Sequence, residues 1–568
     1  MKLRIRKALA IAMLPMVTVI IANAQASPKQ HSEAPDLDPG NIGSTYVTLD
    51  SWVYPAVERL QSLGWIKNQF LGLRPWTRFA VAQAVDSAQQ RVDADADPNP
   101  EVIQLISSLS SEFASDIALE NGVRNRSLQL ESVYARSMYI SGRPLDDSYH
   151  FGQTIINDFG RPYRQGFNAI SGFTARAAEG HFAFYVSGEY QHAPGAAAYP
   201  LSVRQVISQA DNTPLQPETP FSPRNDFRLL DSYVSMTFLG QDLSFGKQSL
   251  WWGPGEGGAV IDSDNAEPMY MVRLNRTIPM KLPSLFRLLG PLRYDAYFGR
   301  LSGHEFPPRP FMHGEKFSFR PTENLEFGFS RTAVFAGEGV TPLSFDTLLN
   351  TYFSATSSTN VGEGLSSSPG ARHGGFDFSY RVPFVRNWLT VYMDNVVHDD
   401  ISPLASPRRS AMNPGVYLSH FPKLHKLDFR AESVNTDPPT SGSLGGNFIY
   451  WEGIYKDAYT NGGNLLGSWI GREGKGLQVW STYWLTPKST IQVGYRNAKV
   501  AKDFIPDGET ANDFSVRSRV RLTSTLELDG FLQYERWKAP VLSPTQQSDV
   551  TGSIQLTFFP EHWKLGSR

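Results

Sequence analysis

Val550-Thr551-Gly552-Ser553-Ile554-Gln555-Leu556-Thr557-Phe558 alternates apolar or small residues with polar ones at every step. A period of two belongs to an extended strand, because successive side chains point to opposite faces. Phe182, Phe184, Val186 and Tyr190 keep the same beat against Ala183, Tyr185, Ser187 and Glu189. So do Leu389, Val391 and Met393 against Thr390, Tyr392 and Asp394. Leu526, Leu528, Leu532 and Tyr534 alternate with Glu527, Asp529, Gln533 and Glu535. A soluble sandwich would alternate too, with its apolar face in a packed core. Connection lengths separate the two. Short ones fall at 178–180, 240–242, 322–324, 422–423, 486–488 and 523–525, between long ones at 192–225, 337–373 and 437–467. Short turns at one end and long loops at the other mark an outer-membrane barrel.

Working outward from that stretch, about 18 strands fit between 127–141 and 548–559. An even count suits a single-chain bacterial barrel and puts both of its ends on the periplasmic side. The expected fold is therefore an all-β transmembrane barrel of about 18 antiparallel strands over 127–559, with a tail at 560–568. The connection 278–290 is longer than a periplasmic turn should be.

A different pattern precedes the barrel. Residues 44–120 carry apolar spacings of three and four, as in Trp52, Val53, Ala56, Val57 and Leu60, which predict a helix capped by Asp50 or Ser51 and closed by Gly64. Thr77 can cap a second helix towards Arg91, and Val102, Ile103, Leu105, Ile106 and Leu109 mark a third. This small N-terminal α-helical bundle is expected on the periplasmic side, in a packing or docking role. Further upstream, Lys2, Arg4, Arg6 and Lys7 precede an apolar run over 8–21 and the small residues Ala22, Ala24 and Ala26. That order reads as a secretory signal peptide over 1–26, followed by a linker at 27–43.

Composition narrows the chemistry. Among 568 residues there is no Cys, which removes thiolate catalysis, Cys-based zinc sites and disulfides. Basic and acidic residues number 53 and 55, so no polycation awaits nucleic acid. The 11 His show no H-E-x-x-H pattern and no G-x-S-x-G elbow appears, so no catalytic residue, metal or cofactor is assigned.

Several segments resemble the Wzi family of capsule-assembly outer-membrane proteins. They are Trp251-Trp252-Gly253-Pro254-Gly255, Ser263-Asp264-Asn265-Ala266 and Leu289-Gly290-Pro291-Leu292-Arg293-Tyr294-Asp295. Asn157-Asp158-Phe159-Gly160-Arg161-Pro162-Tyr163, Gly188-Glu189-Tyr190-Gln191-His192, Leu325-Glu326-Phe327-Gly328-Phe329-Ser330-Arg331 and Tyr459-Thr460-Asn461-Gly462-Gly463-Asn464 add to them. The resemblance runs from about Leu49 to the carboxyl end. It implies a barrel closed from below by a helical bundle, and a lectin-like role in which surface loops hold exported polysaccharide at the cell surface. One departure is that Phe559 is followed by nine more residues, where such barrels usually end on an aromatic.

Candidate polysaccharide-binding residues follow from aromatics, carboxylates and amides in predicted outer loops, since flat rings suit sugar faces and planar groups suit hydroxyl pairs. The 252–268 segment offers Glu256, Asp262, Asp264 and Asn265 with Trp251 and Trp252 at its entrance. The alternative for the tryptophans is an interfacial girdle. The 437–467 loop offers Tyr450, Trp451, Tyr455, Tyr459 and Asn461, which would either contact glycan or pack on themselves as a folded-in plug. In the lumen, Arg517, Arg519 and Arg521 share one strand face, where they would either guide anions or brace the wall against Glu527, Asp529 and Glu535.

The functional expectation is an outer-membrane, lectin-like monomer that attaches capsular or related polysaccharide without covalent chemistry. Its expected partners are capsular or exopolysaccharide, outer-membrane lipid and the barrel assembly machinery. A porin or glycan-passage channel is the alternative, and an outer-membrane hydrolase a third reading.

Overall fold

The computed structural model describes residues 38–354, 368–385, 388–399, 408–442 and 444–560. The signal peptide expected at 1–26, linker residues 27–37 and tail residues 561–568 lie outside the described residues.

Eighteen antiparallel strands form one closed sheet. We number them β1 (Arg126–Ile140), β2 (Gly166–Glu179), β3 (Phe182–Ala193), β4 (Arg224–Phe238), β5 (Gln241–Gln248), β6 (Met269–Arg276), β7 (Leu292–Arg300), β8 (Phe311–Thr322) and β9 (Leu325–Phe335). The second half comprises β10 (Ala371–Arg381), β11 (Leu389–His398), β12 (Ala411–Leu418), β13 (Leu427–Asn435), β14 (Gly474–Thr486), β15 (Ser489–Val500), β16 (Glu509–Arg521), β17 (Leu526–Lys538) and β18 (Gln547–Phe558). Closure is made by β1 against β18, in register from Val133 opposite Phe558 to Ile140 opposite Thr551. The 18-strand barrel expected from alternation is present.

The alternation has a physical cause in the two environments of the wall. Phe167, Phe245, Val493, Phe514, Leu532 and Ile554 face outward and are exposed, whereas Glu535, Asp549, Thr551 and Arg496 face inward and are buried. An apolar outer surface over a polar interior is the reverse of a soluble core, and it makes this a transmembrane barrel. Among the described residues no helix is long and apolar enough to cross a membrane.

Among the described residues four α-helices precede β1, namely α1 (Val53–Ser62), α2 (Arg78–Asp93), α3 (Pro100–Glu112) and α4 (Ala114–Glu120). The fourth was not expected. Thr77 caps α2 by accepting from the Ala80 N–H at 3.3 Å, and Asn99 caps α3 by accepting from Glu101 at 2.9 Å. The expected cap of α1 is corrected: Trp52 occupies that position without a side-chain bond, although Ser51 Oγ accepts from Val53 at 3.3 Å. Gly64, at φ +90°, follows the end of α1.

The bundle core of Val57, Leu60, Trp76, Val81, Leu105, Leu109 and Phe113 extends into the barrel by including Trp484 of β14. The bundle also touches the short-turn end. Gly43 donates to the Gly180 carbonyl at 2.9 Å, Gly240 donates to the Gly40 carbonyl at 2.6 Å, and Lys67 meets Glu323 at 3.1 Å. Arg59, fully buried, holds Glu101 at 2.7 Å and donates to the carbonyls of Ser419 and His425. The helices thus occupy part of the mouth of the barrel at its short-turn end. The long 278–290 connection there contains a 3-10 turn, Ser284–Leu289, whose Leu285, Phe286 and Leu288 are exposed at the rim. At the other terminus β18 ends on Phe558, and the Phe559 N–H donates to the Thr525 carbonyl at 2.7 Å.

The wall makes a testable distinction between its two faces. Leu532→Arg, on the lipid side of β17, should destabilise the barrel by about 2–4 kcal/mol when folding into phospholipid vesicles is titrated with denaturant. Ser553→Lys, on the lumenal side of β18, should change stability by about 0.5 kcal/mol or less in the same measurement.

Candidate functional site

The long loops do not all stand above the barrel. Residues 249–268 between β5 and β6, and 436–473 between β13 and β14, fold into the lumen and pack together. Apart from a two-residue ladder of Thr460–Asn461 with Asn464–Leu465, their chain is irregular, so most of its N–H and C=O groups need partners from elsewhere. Wall carboxylates supply many of them. Glu432 of β13 accepts from the N–H groups of Glu256 and Gly257 at 2.8 and 2.9 Å. Asp394 of β11 accepts from Val260 at 2.8 Å, and Asn413 of β12 donates to the Gly258 carbonyl at 2.9 Å. A Cβ on Gly257 would lie 2.5 Å from the Gln478 side chain and 2.7 Å from Glu432, so a larger residue here would push those wall side chains aside.

Ten of the eleven candidate polysaccharide-binding residues are buried in this plug: Trp251, Trp252, Asp262, Asp264, Asn265, Tyr450, Trp451, Tyr455, Tyr459 and Asn461. For the 252–268 segment this corrects the expected outer-loop exposure, and for the 437–467 loop it is the folded-in alternative. Only Glu256 keeps partial exposure, beside Arg430 at 3.6 Å. The indole N–H of Trp251 donates to the Gly255 carbonyl at 2.9 Å, and that of Trp252 to Asp295 at 3.2 Å, so neither ring belongs to a lipid girdle. Asp262 accepts from the Tyr297 hydroxyl at 3.2 Å. Burial pushes its carboxyl up to about 7 against that bond, which suits a structural hydrogen-bonding group rather than an anion offered to sugar. The Asp264 carbonyl accepts from Phe159 at 2.7 Å, and Asn265 donates to the Leu465 carbonyl at 3.2 Å.

The aromatic loop packs on itself and on the wall. Tyr450 and Tyr459 stack with centroids 5.5 Å apart, and Tyr450 donates to the Val260 carbonyl. Tyr459 lies 2.9 Å from the Thr332 hydroxyl, and Trp451 donates to the Asp211 carbonyl at 3.3 Å. Tyr455 is fully buried, and Asn461 accepts from Ser302 at 2.9 Å. An 18-stranded barrel is wide enough to admit whole loops, and here aromatic rings fill that volume while their polar ends find partners.

Above the plug, α5 (Leu201–Asp211) and α6 (Phe345–Phe353) form part of the outer face. His150 sits between Asp147 and Asp211 at 2.8 Å from each, and Arg472 meets Asp211 at 2.6 Å. Burial alone would lower the imidazole, but the two carboxylates outweigh it and push it up to about 10. This cluster ties three outer loops together. On α6, Thr351 lies 2.9 Å from His313, while Tyr352 stacks on that imidazole with centroids 4.8 Å apart. Phe345, Leu343 and Leu215 remain exposed, as do Glu338 and Arg309, paired at 3.0 Å.

Below the plug, two adjoining chambers of about 540 and about 360 Å³ lie against one side of the wall. Both are lined by Asp50, Ser51, Arg519 and Asp529. Arg519 meets Asp529 at 3.0 Å and Arg521 meets Glu527 at 2.9 Å, across the hairpin of β16 and β17. Arg517 lies over the ring of Phe531 at 5.2 Å. Sequence reasoning assigned no role to Glu326, Asp394 or Asp295, the wall acids that hold the interior segments. Their one signal was an acid on a lumenal face of a strand. Among the described residues no group of three or more His, Asp or Glu side chains is placed to hold a metal.

Comparison with known proteins gives three findings. The family model described as capsule assembly protein Wzi matches residues 135–552. The Escherichia coli protein Wzi, described as an outer-membrane protein involved in group 1 capsule assembly and a carbohydrate-binding β-barrel, superposes with a TM-score of 0.65 at 18% identity, over 91% of this chain and 100% of that one. A Klebsiella pneumoniae protein described as an uncharacterized 55.8 kDa protein in the cps region is 30% identical over 179 residues, which are 31% of this chain and 34% of that relative. The match thus spans about a third of the relative's length.

Two outcomes test this geometry. Glu432→Ala strands the N–H groups of Glu256 and Gly257 and the Tyr392 hydroxyl, and should cost about 3 kcal/mol in equilibrium unfolding. The His150 cluster should stabilise the outer loops fully below the ordinary histidine value of 6.5, weaken as pH rises above it, and vanish past about 10. Hydrogen exchange in α5 should therefore quicken across that interval, and His150→Asn should remove the dependence.

Proposed function

The chain belongs to the Wzi family of capsule assembly proteins, and on that premise we propose that it is an outer-membrane lectin that attaches capsular or related surface polysaccharide without covalent chemistry. The short-turn end with its bundle faces the periplasm, and the long loops face outward, following the usual asymmetry of such barrels. Lipid surrounds the apolar belt, the barrel assembly machinery inserts the chain, and it works as a monomer.

The observation that carries this reading is that the lumen is crossed by the bundle at one end and by inward-folded loops above it. The bundle occupies one mouth and the inward-folded loops cross the lumen, so the wall serves as a rigid mount for an outer face. Binding residues commonly lie on loops held by such a scaffold. With the aromatic loop buried, contact with glycan passes to the exposed side chains above it. Phe345 offers an apolar face for a sugar ring, and Glu338 and Arg309 offer partners for hydroxyl and carboxylate groups. A porin reading requires a continuous aqueous path through the same lumen, and the plug lies across it.

Deletion of the gene should release surface polysaccharide into the medium, measured as the ratio of cell-bound to soluble glycan. Glycan that stays on the deletion strain would remove attachment as the function. In planar bilayers the purified protein should show no steady conductance, and steady conductance from protein that retains no glycan would favour the channel.

A further inference from the structure

One side of the lumen is packed solid and the other is not. Against β14 to β17 the plug and the bundle leave the 360 Å³ chamber, and this stretch of wall carries a row of inward side chains in register. Thr482 stands opposite Gln492, Gln492 opposite Arg517, Arg517 opposite Phe531, and Phe531 opposite Ser553. Neighbouring strands lie about 4.8 Å apart, so the amide, the guanidinium and the ring sit side by side over about 10 Å.

Arg517 is the anomaly of this lumen. The other lysines and arginines lining the two chambers each have a carboxylate within reach, from Arg136 with Asp158 at 2.7 Å to Arg176 with Glu131 at 2.7 Å and Arg496 with Asp513 at 2.5 Å. Arg74, Arg78, Arg161, Arg430, Lys488, Arg519 and Arg521 are paired likewise. Arg517 has no hydrogen-bond or ion-pair partner among the described residues. It instead rests on the face of Phe531 at 5.2 Å. Stacking holds a guanidinium in place by its flat face and leaves its N–H edge free, and that edge is the part that grips a carboxylate bidentately.

We propose that Gln492, Arg517 and Phe531 form a lumenal binding site for a carboxylate-bearing sugar, entered from the short-turn end of the barrel. The guanidinium takes the carboxylate, and Gln492 with the hydroxyl of Thr482 faces the sugar's own hydroxyls. A chamber of this volume is of the size that holds small ligands. The entrance is the adjoining 540 Å³ chamber, which reaches the rim at Ser524 of the β16–β17 turn and at Pro560 beyond β18. The two chambers meet at Arg519, two residues from Arg517 on the same strand face. This site is separate from the outer face proposed for attachment, and either can hold without the other.

The test uses the full-length protein in detergent with digalacturonate as the probe. Calorimetric titration should show saturable binding to the wild type, with neutral galactobiose and inorganic phosphate failing to compete. Arg517→Gln should bind at least about tenfold more weakly, and Arg517→Lys, which keeps the charge without the fork, should recover part of the loss. Unchanged heat-modifiable migration of both variants on gels shows that the barrel is intact. The absence of Cys in the chain allows Ser524→Cys to be labelled alone, and a bulky maleimide there should slow association. The site is overturned if the wild type does not bind digalacturonate, if Arg517→Gln binds it equally, or if phosphate binds as tightly, which would mark an anion site without sugar recognition. Unaltered association in the labelled Ser524→Cys protein overturns the route of entry.

Discussion

Backbone polar groups inside a membrane barrel must be satisfied by protein, and wall carboxylates do much of this for everything that enters the lumen. The closed ladder of eighteen strands settles the wall itself. The irregular segments have almost no ladder of their own. Glu326 accepts from the N–H groups of Leu71 and Gly72 at 2.8 and 2.9 Å, and Glu432 does the same for Glu256 and Gly257. One device therefore holds the bundle from below and the plug from above. Both place a glycine close to the wall, a Cβ on Gly72 lying 2.5 Å from the Asp377 carboxylate and one on Gly257 2.5 Å from the Gln478 amide.

That dependence shapes the charge of the interior. Other interior acids are matched by arginines instead, as where Glu58 of α1 is held between Arg74 and Arg430. Breaking one partner of such a buried set costs far more than the set contributes, which keeps the arrangement rigid. The filling is also lopsided. Plug and aromatic loop occupy the side of β6 to β13, while chambers remain beside β14 to β18 and β1 to β4. A filled barrel gives the outer loops a stiff base, and the residual chambers set apart a polar space with its own chemistry.

Much of the architecture was legible in the residues. Val550 to Phe558 announced a two-faced strand, and that strand closes the barrel. Thr77 was readable as a helix cap because capping is a local bond between a side chain and an N–H three residues on. The fate of the loops was not legible. Tyr450, Tyr455 and Tyr459 read equally as a surface platform or as packing, because aromatic density has the same local appearance in both. Their burial follows from partners far along the chain: Tyr450 bonds to the Val260 carbonyl 190 residues away. The acids Glu326, Glu432 and Asp394 looked like ordinary lumenal positions for the same reason.

By itself the sequence determined the number and phase of the strands, the face each side chain takes and the presence of a helical module ahead of them. These are local properties, set by a two-residue period in the wall and by caps and apolar spacing in the helices. Only the tertiary structure decided which loops fold inward, which carboxylates hold them, and that Arg517 is left without an acid while Arg519 and Arg521 are paired. Those outcomes depend on which strands and loops meet across the lumen, and closure of the barrel creates those contacts, which no local period encodes.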